Sequence, residues 1–303
     1  MNILSDRILS LEESQTIAMA RKSRELIDNG VDIISLSLGE PDFDTPDFIK
    51  EAAKKAIDDN FSHYTPVPGL GELRSAISTK FKRDNDLDYA ADEIVASTGA
   101  KQTLAQLMLA IVNPGDEVIV PAPYWVSYFQ MVKMAEGTPV VIEATVDADF
   151  KVTAKQVEEA ISTKTKAFLF STPCNPTGSV YSREELAELV KVFEKYPEII
   201  IISDEIYEHI NFLGEHVSIG QFESIKDRVV TVNGVSKGFA MTGWRVGYLG
   251  APKWLAAACT KMQGQTTSAT CSIAQKATEA AVLADPICTK DMRAAFLRRR
   301  DLM

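Results

Sequence analysis

Apolar and polar residues follow two different periods along the chain. In residues 11–29 the apolar positions Leu11, Ile17, Ala20 and Leu26 recur among charged ones, which predicts an amphipathic helix ended by Gly30. Ile33 to Leu38 is a short apolar run and reads as a strand. The next segment, Gly39-Glu40-Pro41-Asp42-Phe43-Asp44-Thr45-Pro46, has too many breakers for regular structure and reads as a crossing between two lobes. Beyond it, strands are expected at 94–97, 117–121, 138–143, 166–171, 199–203, 229–233 and 245–249. Helical stretches at 100–112, 124–136, 154–162, 182–195 and 252–265 separate most of them. Ile199-Ile200-Ile201-Ile202 is apolar on both faces, as expected of a strand covered by helices on both sides. The pattern predicts an α/β fold: a mostly parallel central sheet sandwiched by helices and joined by right-handed crossovers. Asp291 to Met303 reads as one more helix, without a glycine cap.

Composition narrows the function. The 303 residues are 46% hydrophobic, so a large core is within reach. A net charge of −10 argues against a nucleic-acid partner, which needs a dense basic face. Arg298, Arg299 and Arg300 form the one basic cluster and read as a solvated helix face. Cys174, Cys259, Cys271 and Cys288 form no Cys-x-x-Cys pair, and His63, His209 and His216 are the only histidines. Neither a metal site nor a disulfide framework is expected from them, and the usage fits a reducing cytoplasm. The first residues lack the order of a signal peptide, and no apolar run approaches the ~20 residues of a membrane span. A cytoplasmic protein with no membrane partner is expected.

In such sheets ligands sit beyond the carboxyl ends of the strands, and five strands are followed there by chemically capable residues. Lys237 lies in Gly234-Val235-Ser236-Lys237-Gly238-Phe239-Ala240-Met241-Thr242-Gly243-Trp244-Arg245, among small and apolar neighbours with one other charge. A poorly hydrated amine near a cation is a better nucleophile and can condense with an aldehyde; a buried structural lysine is the alternative. Asp204 ends an apolar strand, where an acid is costly unless paired. It suits a cationic ring nitrogen, or a helix cap. Asn175 and Tyr207 suit a phenolate oxygen, or a turn and a half-buried aromatic. Trp125 suits a ring face, or plain core. Gly99-Ala100-Lys101 opens a helix whose free N–H groups suit a phosphate, with Ser236 and Arg245 as further donors.

Taken together, these segments resemble the fold-type I, class I and II aminotransferases, and within them the bacterial aspartate aminotransferase subgroup. The resemblance runs over the whole chain. It rests on Gly234 to Gly247, Gly39-Glu40-Pro41-Asp42-Phe43, Tyr64-Thr65-Pro66, Gly99-Ala100-Lys101-Gln102, Pro123-Tyr124-Trp125, Asn175-Pro176-Thr177-Gly178 and Ser203-Asp204-Glu205-Ile206-Tyr207. It implies a pyridoxal 5'-phosphate cofactor carried by Lys237, which also shuttles the proton. Asp204 would pair with the ring nitrogen, Asn175 and Tyr207 with the phenolic oxygen, and Trp125 with the ring face. Gly99, Ala100, Lys101, Ser236 and Arg245 would cradle the phosphate. Tyr64 would reach the neighbouring subunit's phosphate, implying a homodimer with sites at the interface. Gly39, with Trp125 and Asn175, would contact substrate. Residues 1–45 would belong to a small α/β domain, 46–288 to the cofactor-binding large domain, and 289–303 to a helix leading into a C-terminal segment that the chain is expected to lack.

The expected reaction moves an amino group from an L-amino acid, aspartate first, to a 2-oxo acid, 2-oxoglutarate first. Lys101, with Ser14 and Thr16, would meet the distal carboxylate; Glu12 would disfavour larger dicarboxylates such as prephenate. A lyase or synthase with the same cofactor would use the same Lys and Asp. A ligand-sensing domain of a transcription regulator is a third alternative, disfavoured because the N-terminus carries no helix-turn-helix module.

Overall fold

The computed structural model describes residues 3–36 and 39–303. Its seven strands among those residues are β1 (Ile94–Ser97), β2 (Glu117–Ala122), β3 (Thr138–Glu143), β4 (Thr165–Ser171), β5 (Ile200–Asp204), β6 (Val229–Gly234) and β7 (Gly247–Gly250). They form one sheet in the order β1-β7-β6-β5-β4-β2-β3. All pairs are parallel except those of β7, which runs antiparallel to β6 and β1. No α-helix stands between β6 and β7. A parallel return needs a crossover, so the short connection dictates the antiparallel pairing. That same connection carries Lys237 and Arg245.

The helices are α1 (Asp6–Leu9), α2 (Gln15–Asp28), α3 (Asp47–Asp58), α4 (Gly71–Asn85), α5 (Ala100–Ile111), α6 (Ser127–Met134), α7 (Ala154–Ala160), α8 (Arg183–Phe193), α9 (Lys253–Gly264), α10 (Ser272–Leu283) and α11 (Lys290–Leu302). β5 shows how the layers are built. Ile200 and Ile202 pack with α5, α6 and α9 on one face, while Ile199 and Ile201 pack with α7 and α8 on the other. A third cluster joins α3, α4 and α10 to Ile94, Ala96 and Tyr248.

Helices α1, α3, α4 and α10 come in addition to those expected from the sequence. The inward face of α10 mixes Ala274, Ala277 and Ala281 with Gln275 and Thr278, and that of α4 includes the buried polar residues Lys80 and Asn85, which blurs both periods; α3, with Ile49, Ala53 and Ala56 inward, is clearly amphipathic. The N-terminal helix begins at Gln15 rather than at residue 11. Residues 33–36 are not a strand but irregular, and Ile34 and Leu36 are exposed; Ser37 and Leu38 lie outside the described residues. Among the described residues no helix is long and apolar enough to cross a membrane.

Candidate active site

The carboxyl ends of β4 and β5 lie side by side, with Ser171 paired in register with Asp204. Asp204 is buried, and α6 packs over it. Tyr128, on that helix, donates its hydroxyl to Asp204 Oδ2 at 2.7 Å; the Ile206 N–H donates to Oδ1 at 3.3 Å. Burial raises the Asp204 pKa to about 6, against the lowering effect of these two hydrogen bonds and of Lys237. The Asn175 amide donates to the Tyr207 hydroxyl at 3.3 Å, and burial with the nearby Asp204 charge pushes the Tyr207 phenol up to about 12.

Lys237 faces this group across a cavity of about 640 Å³. Burial lowers its amine pKa; Glu40 opposes that shift and Arg245 adds to it. The Nζ lies 5.7 Å from the Tyr207 ring centroid and donates to the Gly39 carbonyl. A half-buried amine with a depressed pKa opposite a buried acid with a raised one is a pairing suited to acid–base chemistry.

The phosphate end is built by close backbone approach. Gly99 has φ +82°, and a Cβ there would run into the Arg245 guanidinium; a Cβ at Gly247 would strike the Ala100 amide nitrogen. Only glycine lets the start of α5 and the β7 strand come this close. The result is a helix N-terminus whose first amides adjoin the exposed guanidinium of Arg245, with Arg245 itself tied to the Thr242 carbonyl at 2.8 Å. An anion fits there by charge and by free donors.

Of the residues singled out in the sequence, Gly39, Ala100, Lys101, Trp125, Asn175, Asp204, Tyr207, Ser236, Lys237 and Arg245 line this one cavity, and Ser14 and Thr16 reach its rim. Gly99 shapes it from behind. Lys101 Nζ lies 5.0 Å from the Trp125 ring centroid, and partial burial with Arg245 lowers its pKa. Tyr64 is elsewhere, fully exposed. Glu12 lines an adjoining cleft instead, its N–H donating to Gln130 at 3.2 Å, so it places no charge inside the Lys237 cavity. Tyr128 is the site residue that motif reading misses. Its position one helical turn beyond Trp125 was the available signal.

On the other side of β5 lies a second buried polar group. Glu205 accepts from Ser203 at 2.9 Å and Ser218 at 2.7 Å, and pairs with His216 at 2.8 Å. Lys80 pairs with Glu208 and donates to Asn85 at 2.6 Å, and Asn85 donates to Glu208 at 2.6 Å. The donor atoms of Glu205, Glu208 and His216 lie within 4.8 Å of one another, but these partners already satisfy the carboxylates.

The site therefore offers an aldehyde-reactive amine, a buried anion, a phenol–amide pair and an anion cradle in one cavity, which is the donor set that pyridoxal phosphate needs. The family described as "Aminotransferase class I and II" matches residues 31–303. The aspartate/prephenate aminotransferase of Cereibacter sphaeroides is 48% identical over 100% of this chain and 76% of that protein. A probable aspartate/prephenate aminotransferase of Rickettsia bellii is 49% identical over 91% of this chain and 70% of its own length. Among solved structures, the aspartate aminotransferase of Rhizobium meliloti superposes with a TM-score of 0.96 at 40% identity, covering 100% of this chain and 76% of that one. The Thermus thermophilus aspartate aminotransferase with maleate also gives 0.96, at 42% identity and with 100% and 79% coverage. Fold, cavity and relatives agree, and the chain belongs to the class I and II aminotransferases, pyridoxal-phosphate enzymes of fold type I.

Proposed function

We propose that this chain transfers the amino group of aspartate to 2-oxoglutarate, with Lys237 as the residue that holds the cofactor and moves the proton. The observation that carries the assignment is the single cavity in which the half-buried Lys237 amine faces buried Asp204. When bound, the cofactor supplies an aldehyde carbon for the substrate amine and a ring that withdraws the electrons left at Cα. Asp204 would hold the ring nitrogen as an anion, and Asn175 and Tyr207 would hold the phenolic oxygen. Trp125 would cover the ring face. Gly99, Ala100, Lys101, Ser236 and Arg245 would hold the phosphate. Lys237 would supply the free amine that acts as the base. Its lowered pKa leaves it unprotonated more often than a surface lysine, which suits removal of the Cα proton. Gly39 meets the α-carboxylate side of the substrate.

The aspartate assignment rests on Lys101, whose ammonium stands at the cavity mouth beside Trp125, and on the names of the relatives. A larger dicarboxylate such as prephenate is the second candidate, favoured by those same names. Residues 46–288 form the large domain. Residues 1–45 belong to the small one and 289–303 start the helix that leads into it, a reading supported by the Arg299–Asp42 pair at 2.7 Å and the edge-on Phe43–Phe296 contact at 5.5 Å. Fully exposed Tyr64 is free to reach a second copy, and a homodimer with sites at its interface would use it. The test measures oxo acid formed from aspartate with and without 2-oxoglutarate. Oxo acid beyond one equivalent per site that requires 2-oxoglutarate supports transamination, while continued, ammonia-releasing turnover without an acceptor would make the enzyme a lyase.

A further inference from the structure

Asp204 is held at two points. The bond to Oδ1 is a long amide contact of 3.3 Å; that to Oδ2 is a 2.7 Å charge-assisted bond from Tyr128, which is 1% exposed. Tyr128 is itself fixed. Its ring meets Trp125 edge-on at 5.5 Å and 87°, and it packs in the core between α6 and the sheet. Burial and the Asp204 charge keep the phenol pKa well above its ordinary value, so the hydroxyl stays a donor throughout the working pH range. The other titratable groups around the pair are Glu205, Lys237, Tyr207 and Cys174. Lys237 alone among them is cationic, and it lies across the cavity.

We propose that Tyr128 is a positioning residue for the transamination: by donating to Oδ2 it fixes the Asp204 carboxylate and secures it as an anion for the cofactor's ring nitrogen. The inference rests on the proposed role of Asp204. An isolated buried carboxylate has two ways to avoid its desolvation cost, rotating toward solvent or taking up a proton. Tyr128 opposes both, because it holds one oxygen in place and favours the charged form. Motion or protonation of Asp204 would remove the anion on which the electron-withdrawing state of the ring depends.

The experiment measures cofactor affinity of the apoprotein, its pH dependence and turnover for Tyr128→Phe, Asp204→Ala and the double variant. Tyr128→Phe should weaken cofactor binding roughly 10- to 100-fold, the range of a charged hydrogen bond. It should also move the pH at which binding is lost to a higher value, since Asp204 then protonates more easily. Turnover should fall while KM for the amino donor stays nearly constant. In the Asp204→Ala background the Tyr128→Phe change should have no further effect on affinity. Persistence of the full effect there would overturn the proposal, because Tyr128 would then act through packing on Trp125. Should Tyr128→Phe fail to fold, 3-fluorotyrosine at position 128 keeps the ring and strengthens the donor. The pH of binding loss must then move lower, and an unmoved midpoint would overturn the proposal. If Asp204→Ala binds cofactor normally, the role of Asp204 falls, and that of Tyr128 with it.

Discussion

Asp204 and Glu205 are consecutive, both are carboxylic acids and both are buried, at 4% and 0% exposure, yet they occupy two different kinds of place. Successive side chains at the end of a strand point to opposite faces. Glu205 enters a closed network with Ser203, Ser218 and His216, and next to it Lys80 and Asn85 pair with Glu208. Burial opposes ionisation of Glu208, but Lys80, His209 and His216 outweigh it and hold its carboxyl below the usual range. Burial likewise opposes the charged form of His216, and Glu205 outweighs it, so the imidazole pKa is raised. Asp204 has fewer partners, and burial wins there. The difference separates a carboxylate whose charge is already neutralised inside the fold from one whose charge remains available to a ligand.

The sharpest way to break this comparison is to remove the amine opposite Asp204. Lys237→Ala should lower turnover at least about 10⁴-fold, since nucleophile and base disappear together. It should also abolish the borohydride-reducible adduct formed with cofactor. Peptide mapping that places the adduct on another lysine would refute the assignment.

On the closed side of β5 the expected cost is stability rather than chemistry. Glu208→Ala takes from buried Lys80 the nearer of its two carboxylate partners, leaving Asp84 at 3.8 Å, and should cost about 3 kcal/mol in unfolding free energy. Denaturant titration measures this, and the folded protein should still take up cofactor. A stable variant that cannot bind cofactor would erase the distinction between the two regions.

Asp204→Asn should behave in the opposite way. Turnover should drop at least ~10²-fold, as for loss of a key electrostatic partner. Stability of the cofactor-free protein should improve at neutral pH. The folded-state pKa of Asp204, about 6, lies above its ordinary value. Its contribution to stability is therefore fully present below about pH 4 and is lost as pH rises through 6, a cost of about 3 kcal/mol. The amide cannot ionise, so unfolding curves for the variant should lack that loss. An unchanged pH profile would show that Asp204 is not the titrating group.

The smallest and most selective effect is expected at Lys101. Lys101→Ser should reduce kcat/KM for aspartate by about 5- to 100-fold, the value of a charge-assisted hydrogen bond, and leave alanine and phenylalanine nearly untouched. An equal loss for all three donors would assign Lys101 to the cofactor alone.

Much of the sheet was legible because β4, β5 and β6 carry short, mostly apolar runs, Ala167 to Phe170, Ile200 to Ile202 and Val229 to Val232, whose length and flanking turns leave little choice of structure. The site residues were legible as segments following strands, since chain order places those segments at one edge. Gly99 could be singled out as a glycine opening a helix. That it must be glycine follows only from Arg245, 146 positions away, lying where its Cβ would go. The inward face of α10 was hard to read because alanine, Gln275 and Thr278 give too little hydrophobic contrast, and that of α4 because it contains Lys80, whereas the amphipathic period of α3 is present in the sequence.

By itself, then, the chain determined the α/β order, the lysine in its small-residue segment and the set of polar groups after the strands, because these depend on local periods and turn chemistry. Only the tertiary structure decided which of two adjacent buried acids faces the cavity, that Tyr128 holds it, and that Glu12 stands outside. Each of these depends on which distant element covers a given strand face. That choice is made by packing and desolvation across the whole sheet, not by the residues beside it in sequence.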